Sequence, residues 1–218
     1  MVAVMGLIEF LIDFILHVDT NLILLIHTYG VWVYVLIFLV VFCETGLVVF
    51  PFLPGDSLIF IAGALSSQGS LSFELLFAVF VLAAVGGDAA NYSIGHYLGP
   101  RVFHDGNSRF FKREYLDMAQ EFYERHGGAT IFLARFVPIV RTFAPFLAGI
   151  GCMPYRHFVL YNFLGGVAWV ALFLFGGFFF GGLQIVKDNL SLIIISIIVV
   201  SLAPTALKLL TMRKKNSR

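Results

Sequence analysis

Long apolar segments, interrupted by prolines, glycines and single charges, make up most of the chain. Residues 73–98 and 157–182 are predominantly apolar and long enough to cross ~30 Å of hydrocarbon as helices. A further apolar segment covers residues 189–211. Because helices satisfy their own backbone hydrogen bonds in lipid, this pattern predicts an all-α, polytopic membrane protein.

A proline-broken segment covers residues 31–67. Its apolar first part reaches Glu44 and then meets Pro51, Pro54 and Gly55. Each proline removes a backbone donor and clashes with the preceding turn, so one continuous helix is excluded here. Irregular backbone at membrane depth is tolerated only where protein or a water-filled cavity surrounds it. The segment therefore predicts a re-entrant hairpin, hairpin 1, with the two prolines and Gly55 at its tip.

A second segment of the same kind covers residues 129–151. Short apolar arms surround Pro138 and Pro145, which we assign to a second tip, and Arg135 and Arg141 lie among them. The segment predicts a second re-entrant hairpin, hairpin 2.

The distribution of basic residues predicts the topology. No Lys or Arg precedes Arg101, and basic residues concentrate in a loop at 100–128 and a tail at 212–218. The positive-inside tendency places both regions in the cytoplasm. An even number of crossings must then separate them, and the helices at 157–182 and 189–211 supply that number if hairpin 2 does not cross.

Residues 1–30 form a separate predicted element. Glu9, Asp13 and His17 recur at helical spacing and make a polar stripe on an otherwise apolar helix, which either spans the bilayer or lies at its surface. Residues 31–218 are assigned to one membrane domain.

Small residues recur in corresponding places of the two halves. Each predicted hairpin ends in Ala-Gly. The next predicted helix contains a Gly pair and, near its end, a Gly-xxx-Gly motif. The markers are Ala62-Gly63, Gly86-Gly87 and Gly95/Gly99 in the first half, and Ala148-Gly149, Gly165-Gly166 and Gly177/Gly181 in the second. Paired broken segments in two halves point to an inverted repeat and a transport site at the repeat interface.

Hairpin 1 is acidic and hairpin 2 is basic. Glu44 and Asp56 flank the first tip, whereas Arg135 and Arg141 belong to the second. Charges in hydrocarbon are expensive, so these four side chains are expected to face protein, water or one another and are functional candidates. The alternative is a charge network that only pins the hairpins together, and Asp56 alone could cap the half-helix that follows it.

Arginine suits an anionic head group because its planar fork binds phosphate oxygens bidentately and stays charged when buried. A carboxylate in a partly dry cavity can take up and release a proton as a neighbouring cation moves. The sequence thus predicts phosphate binding by Arg135 and Arg141 with proton coupling through Glu44 and Asp56. Asp88 and Asn91 are secondary candidates, with an interhelical hydrogen bond as their structural alternative.

Composition narrows the function classes. The 218 residues are 60% hydrophobic and 12% charged, with a formal net charge of +1. The sequence has no basic patch interleaved with exposed aromatics, so nucleic-acid binding is not predicted. The two cysteines and the histidines share no ligand spacing, so neither a metal site nor a cofactor is expected. No Ser-His or His-Asp constellation accompanies the arginines, so an enzyme is not expected. A homo-oligomer is compatible with the sequence.

The segments FCETGLVVFPFLPGD at 42–56 and GGATIFLARFVPIVRTFAPFLAG at 127–149 resemble the two signature segments of the DedA family. These bacterial inner-membrane proteins are also called SNARE-associated or VTT-domain proteins, and the resemblance covers nearly the whole chain. It implies two oppositely oriented re-entrant hairpins and functional roles for Glu44, Asp56, Arg135 and Arg141.

The resemblance also implies a role in moving lipid across the bilayer. We expect a flippase for undecaprenyl phosphate or a related phospholipid, coupled to protons and resident in the bacterial inner membrane. The alternative is a proton-coupled exporter of cations or drugs that supports the proton-motive force and the envelope.

Overall fold

The computed structural model describes residues 28–46, 55–104, 127–151, 153–181 and 183. All regular structure in these ranges is α-helical. The helices are α1 (Trp32–Gly46), α2 (Gly55–Ser67), α3 (Phe73–His104), α4 (Ala129–Ala134), α5 (Pro138–Ile150) and α6 (Tyr155–Gly181). The all-α prediction is confirmed for the described part of the chain.

Two of the described helices are long and apolar enough to cross a membrane. These spans are Phe73–Leu98, with 26 residues, and Tyr155–Gly181, with 27. Helices α1, α2 and α5 are apolar but have 15, 13 and 13 residues. At 1.5 Å per residue each rises only about 20 Å, which is shorter than the ~30 Å hydrocarbon core. In the described part of the chain these three helices are therefore shorter than the two candidate spans.

The interruption in hairpin 2 lies at residues 135–137. Helix α4 ends in tight turns, with the amides of Phe136 and Val137 donating to the carbonyl oxygens three residues back. Val137 is extended (φ −115°, ψ 108°), as the residue before a proline tends to be, and Pro138 opens α5 where its missing amide costs no helical bond. Pro145, assigned to the tip from sequence, instead lies inside α5. That assignment is corrected because one proline suffices to interrupt the helix.

The predicted interruption in hairpin 1 lies outside the described residues, because these leave out 47–54 and with them Pro51 and Pro54. Gly55 is the first residue of α2. Helix α1 begins after a turn at Gly30, whose φ of +52° favours glycine. Other predicted elements also lie outside the described part. These are most of 1–30 and of 100–128, and all of 189–211 and 212–218.

Helix α3 is longer than the predicted span at 73–98 and ends at His104. The prediction ended the helix where charged residues begin. Helical hydrogen bonding does not require apolar side chains, so a helix can continue beyond its apolar part. The predicted loop at 100–128 is corrected at its first residues.

The chain divides into two compact units. One contains the described parts of Met1–Ile37, Pro54–Ala78 and Ala171–Arg218, and the other contains those of Phe38–Leu53 and Val79–Val170. Helices α1, α3 and α6 each contribute residues to both units. The second unit holds most of α1, α3 and α6 together with all of α4 and α5.

Glycines bring the first arm of each hairpin against the Gly pair of the next long helix. A Cβ on Gly87 of α3 would overlap the Thr45 hydroxyl oxygen and lie 3.0 Å from the backbone nitrogen of Gly46 in α1. A Cβ on Gly165 of α6 would lie 3.3 Å from the Cα of Phe132 in α4. Such close backbone contacts are typical of small residues between membrane helices.

The second arm of each hairpin packs against the late glycines of the long helix from the other half. In the second unit, a Cβ on Gly95 of α3 would overlap the Phe146 carbonyl oxygen in α5. In the first unit, a Cβ on Gly177 of α6 would overlap the Phe60 carbonyl oxygen in α2. The glycine markers of the sequence repeat therefore occupy corresponding contacts.

The described helices expose many large apolar side chains. Those on α6 are Tyr155, Leu160, Phe163, Leu164, Leu172, Phe175, Phe179 and Phe180, and those on α1 and α3 include Trp32, Leu39, Leu82 and Tyr97. Apolar exposure of this extent is unusual for a water-soluble monomer and fits a surface in contact with lipid.

Neighbouring glycines on α3 provide a matched test of the α1–α3 contact. We expect Gly87→Ala to lower the free energy of unfolding by about 1–3 kcal/mol, because the added methyl group must displace Thr45 and the α1 backbone. The control is Gly86→Ala, whose Cβ would meet only the Phe42 ring at 3.6 Å. It should leave stability unchanged or raise it by about 0.5–1 kcal/mol through helix propensity. Thermal unfolding in detergent measures both, and equal effects would contradict the packing.

Candidate functional site

The interruption between α4 and α5 positions both arginines of hairpin 2. Arg135 directly follows α4, and Arg141 lies in the first turn of α5, where its amide donates to the carbonyl oxygen of Val137 at 2.9 Å. Arg135 is 4% exposed and is therefore a buried charge. Each guanidinium needs a counter-ion within the protein.

Arg135 is held by two neighbouring helices. Its Nη2 donates to the Asp88 carboxylate on α3, with which it forms an ion pair, and to Asn162 Oδ1 on α6 at 2.6 Å. The Asn162 amide in turn donates to the carbonyl oxygen of Val85 at 3.1 Å. Asn162 thus joins α6 to α3 and fixes the guanidinium between them.

Arg141 pairs with the acidic arm of hairpin 1. Its Nη2 lies 2.5 Å from Oε1 of Glu44 on α1, whose side chain is fully buried. This ion pair joins α5 to α1 and realises the complementarity of an acidic and a basic hairpin. Charge-assisted hydrogen bonds between a guanidinium and a carboxylate are among the stronger polar contacts in a protein interior.

Trp169 of α6 lies beneath both arginines. The Arg135 and Arg141 guanidinium carbons lie 5.8 Å and 5.3 Å from the centre of its ring, within the range of cation–π attraction. The indole is 2% exposed. One buried indole ring therefore lies within cation–π range of both arginines.

A small cavity lies beside these side chains. It is lined by Thr45, Asp88, Arg135, Arg141, Thr142 and Trp169, and it has room for about one water molecule. Two formal positive charges and the two carboxylates that pair with them are balanced around it. The described conformation is therefore electrically neutral and closed to a group as large as a phosphate.

Asn91 connects three helices without contacting an arginine. Its amide donates to the carbonyl oxygens of Thr45 at 3.2 Å and Thr142 at 2.8 Å, so it links α3 to α1 and α5. This is the interhelical hydrogen bond weighed from sequence as the structural alternative. Asp88, ranked beside it, instead carries an ion pair.

Asp56 belongs to the other compact unit. It lies in the first turn of α2, where a carboxylate complements the helix dipole, and it is buried. The four predicted charges are thus divided between the two units. Glu44, Arg135 and Arg141 lie in the second unit, as Asp88 does, and Asp56 lies in the first unit.

Sequence reasoning missed Asn162 and Trp169. Asn162 is the one amide side chain within α6, and a polar residue inside an apolar span is a signal that could have found it. Trp169 gave no such signal, because a tryptophan in a membrane helix is common. Within the described ranges no group of three or more His, Cys, Asp or Glu side chains could hold a metal ion.

This fold and site define a class of helical membrane proteins. In this class, interrupted helices bring buried, balanced charges together beside a small cavity. The VTT domain profile matches residues 53–179, more than half of the chain. The chain belongs to the VTT-domain family, also known as the DedA family of membrane proteins.

Relatives cover most or all of the chain. Protein DedA of Escherichia coli K12 is 54% identical over 216 residues, which are 98% of this chain and 99% of the relative. A membrane protein of Mycobacterium leprae is 42% identical over 76% of this chain and 74% of its own. Inner membrane protein YghB of Escherichia coli K12 is 35% identical over 72% of each. No solved structure matches the chain.

A double-mutant cycle tests the Glu44–Arg141 pair. We expect Arg141→Gln to destabilise the protein by about 3–5 kcal/mol, because it leaves a buried carboxylate without its cation. Adding Glu44→Gln should recover part of this loss, since two amides replace two charges. Thermal unfolding of the wild type, both single variants and the double variant measures the coupling, and strictly additive losses would contradict the ion pair.

Proposed function

We propose that this protein is a lipid flippase that translocates undecaprenyl phosphate or a related anionic phospholipid with proton coupling. The observation that carries the proposal is the pair of arginines beside one cavity, Arg135 buried and Arg141 partly buried, each held by a carboxylate. Arg135 and Arg141 would bind the lipid phosphate, because two adjacent guanidiniums supply several donors and a balancing charge. The polyprenyl or acyl tail would stay in lipid.

Proton coupling is assigned to Glu44 and Asp56. Glu44 is fully buried and touches Arg141, so a phosphate that recruits Arg141 leaves Glu44 as an uncompensated carboxylate unless it gains a proton. Asp56 is buried at the start of α2 and is the second proton site of the proposal. The partners of the protein are therefore an anionic lipid and protons.

The short helices α1, α2 and α5 support the proposed architecture. We assign α1 with α2 and α4 with α5 to two inverted re-entrant hairpins, since helices of about 20 Å do not cross the bilayer. The relative YghB is named an inner membrane protein, and the same location is proposed here. The loop at 100–128 and the C-terminus are assigned to the cytoplasm.

A proton-coupled exporter of cations or drugs is the second candidate. It is favoured by the burial of two carboxylates, Glu44 and Asp88, which could bind a cation directly if the arginines only tuned their protonation. No enzymatic activity is proposed.

Flipping of undecaprenyl phosphate in proteoliposomes tests the first candidate. Arg135→Ala and Arg141→Ala are each expected to lower the flipping rate at least about tenfold, because each removes a charge-assisted bond to the phosphate. Gly86→Ala is the control for reconstitution, since it touches neither arginine. Unchanged flipping in both arginine variants would remove them from the mechanism.

Arginine-to-lysine variants separate the two candidates. Arg135→Lys and Arg141→Lys keep the charge but lose the planar fork, so a bidentate phosphate site should lose most of its activity. An exporter whose arginines act only by charge should keep most of its transport. Lipid flipping and proton-driven cation efflux are measured on the same preparations, and retained flipping in both variants would contradict the bidentate site.

A further inference from the structure

Asp88 occupies the place on Arg135 that a lipid phosphate would need. The bonds that the structure gives Arg135 all leave from Nη2, to Asp88 and to Asn162. Its Nε is buried without an acceptor among the described residues. The guanidinium therefore uses only part of its hydrogen-bond donors. Its strongest partner is a carboxylate that lines the cavity.

Charge and space both require that this carboxylate leave when an anion enters. The cavity holds about one water molecule, so a phosphate cannot join Asp88 there. Two arginines and two carboxylates already balance, and an added phosphate would leave the buried site with excess negative charge. Exchange of Asp88 for a singly charged phosphate preserves the balance, and a doubly charged phosphate is balanced when Glu44 also gains its proton, whereas addition beside both carboxylates leaves excess negative charge.

Asn162 keeps Arg135 in place during such an exchange. It accepts from Nη2 at 2.6 Å and is itself tied to the backbone of α3 through Val85. Trp169 supports the same guanidinium from below. These neutral contacts do not depend on Asp88, so the arginine stays oriented when its counter-ion moves away.

We propose that Asp88 is the resident counter-ion of Arg135, which the phosphate monoester of the lipid displaces, while Asn162 positions the guanidinium for both anions. This inference rests on the proposed function and deepens it. It assigns a competing role to Asp88 that differs from the proton role of Glu44 and Asp56. Asp88 acts as an internal mimic of the substrate, holding the site closed and neutral between transport events.

Competition predicts that neutralising Asp88 tightens binding. The probe is farnesyl phosphate, a short isoprenyl monophosphate, added to the full-length protein in detergent. The chain has two tryptophans, so Trp32→Phe, far along α1 from the site, leaves Trp169 as the sole indole reporter. In that background Asp88→Asn should bind about tenfold more tightly, because Arg135 no longer has to be released first.

Three variants serve as controls. Asp88→Glu keeps the competing charge and should bind within about twofold of the parent chain. Asn91→Ala removes a buried polar group one turn along α3 that does not touch Arg135, so it should not tighten binding. Arg135→Gln should lose binding altogether.

A purely structural role for Asp88 predicts the opposite result. If Asp88 only pins α3 to Arg135, Asp88→Asn weakens binding, and that outcome, or unchanged affinity, overturns the inference. Asp88→Ser is the second neutral variant, and both are purified with and without farnesyl phosphate. The phosphate should raise their melting temperature more than that of the parent chain, because it supplies the missing counter-ion. Failure of both to fold even with the phosphate would also overturn the inference.

The same titrations separate this inference from the proposed function. If the parent chain binds no farnesyl phosphate, or if Arg135→Gln binds as well as the parent, the phosphate site itself is wrong and both proposals fall. If the parent binds and only Asp88→Asn fails to tighten, the counter-ion role alone falls. Inorganic phosphate is titrated in parallel, and equal affinity for it would contradict a lipid substrate.

Discussion

A guanidinium cannot remain in an apolar interior without a counter-ion, and in this protein two of them determine how the surrounding helices are arranged. Arg135 requires Asp88 of α3, and Arg141 requires Glu44 of α1. Because α4 and α5 carry the arginines, these ion pairs specify which helices must meet. The ring of Trp169 in α6 lies within cation–π range of both cations, so five helices of the second unit, α1, α3, α4, α5 and α6, meet around these charges.

Close backbone contacts make that convergence feasible. The ion pairs join Arg135 to α3 and Arg141 to α1. The contacts of Gly46 with Gly87 and of Gly95 with Phe146 bring α1 and α5 close to α3 in the same unit. Larger side chains at these glycines would hold the helices apart and leave the charges unpaired. The small residues and the buried charges are therefore two parts of one packing solution, although they are separate features of the sequence.

The sequence predicted the elements better than the partners. Apolar lengths were sufficient to predict the two long helices, and Pro138 was sufficient to predict the break before α5, because those constraints act locally on the backbone. Charge complementarity between the two segments predicted that Glu44, Asp56, Arg135 and Arg141 face protein, water or one another, but it did not pair Glu44 with Arg141. The partner of Arg135 was not predicted either, because Asp56 and Asp88 are equally acidic in the sequence and only the packing of α3 against α4 distinguishes them. Asn162 was missed since a single amide has no spacing pattern.

The order of the charges along the chain matters while the protein is being made. Both carboxylates, Glu44 and Asp88, are synthesised before Arg135 and Arg141. A carboxylic acid can enter a membrane in its neutral, protonated form, whereas an arginine cannot shed its charge. The carboxylic acids, which can be neutral before they have a partner, are therefore synthesised first. The arginines, which are always charged, are synthesised last. When each arginine leaves the ribosome, its acid is already in the chain.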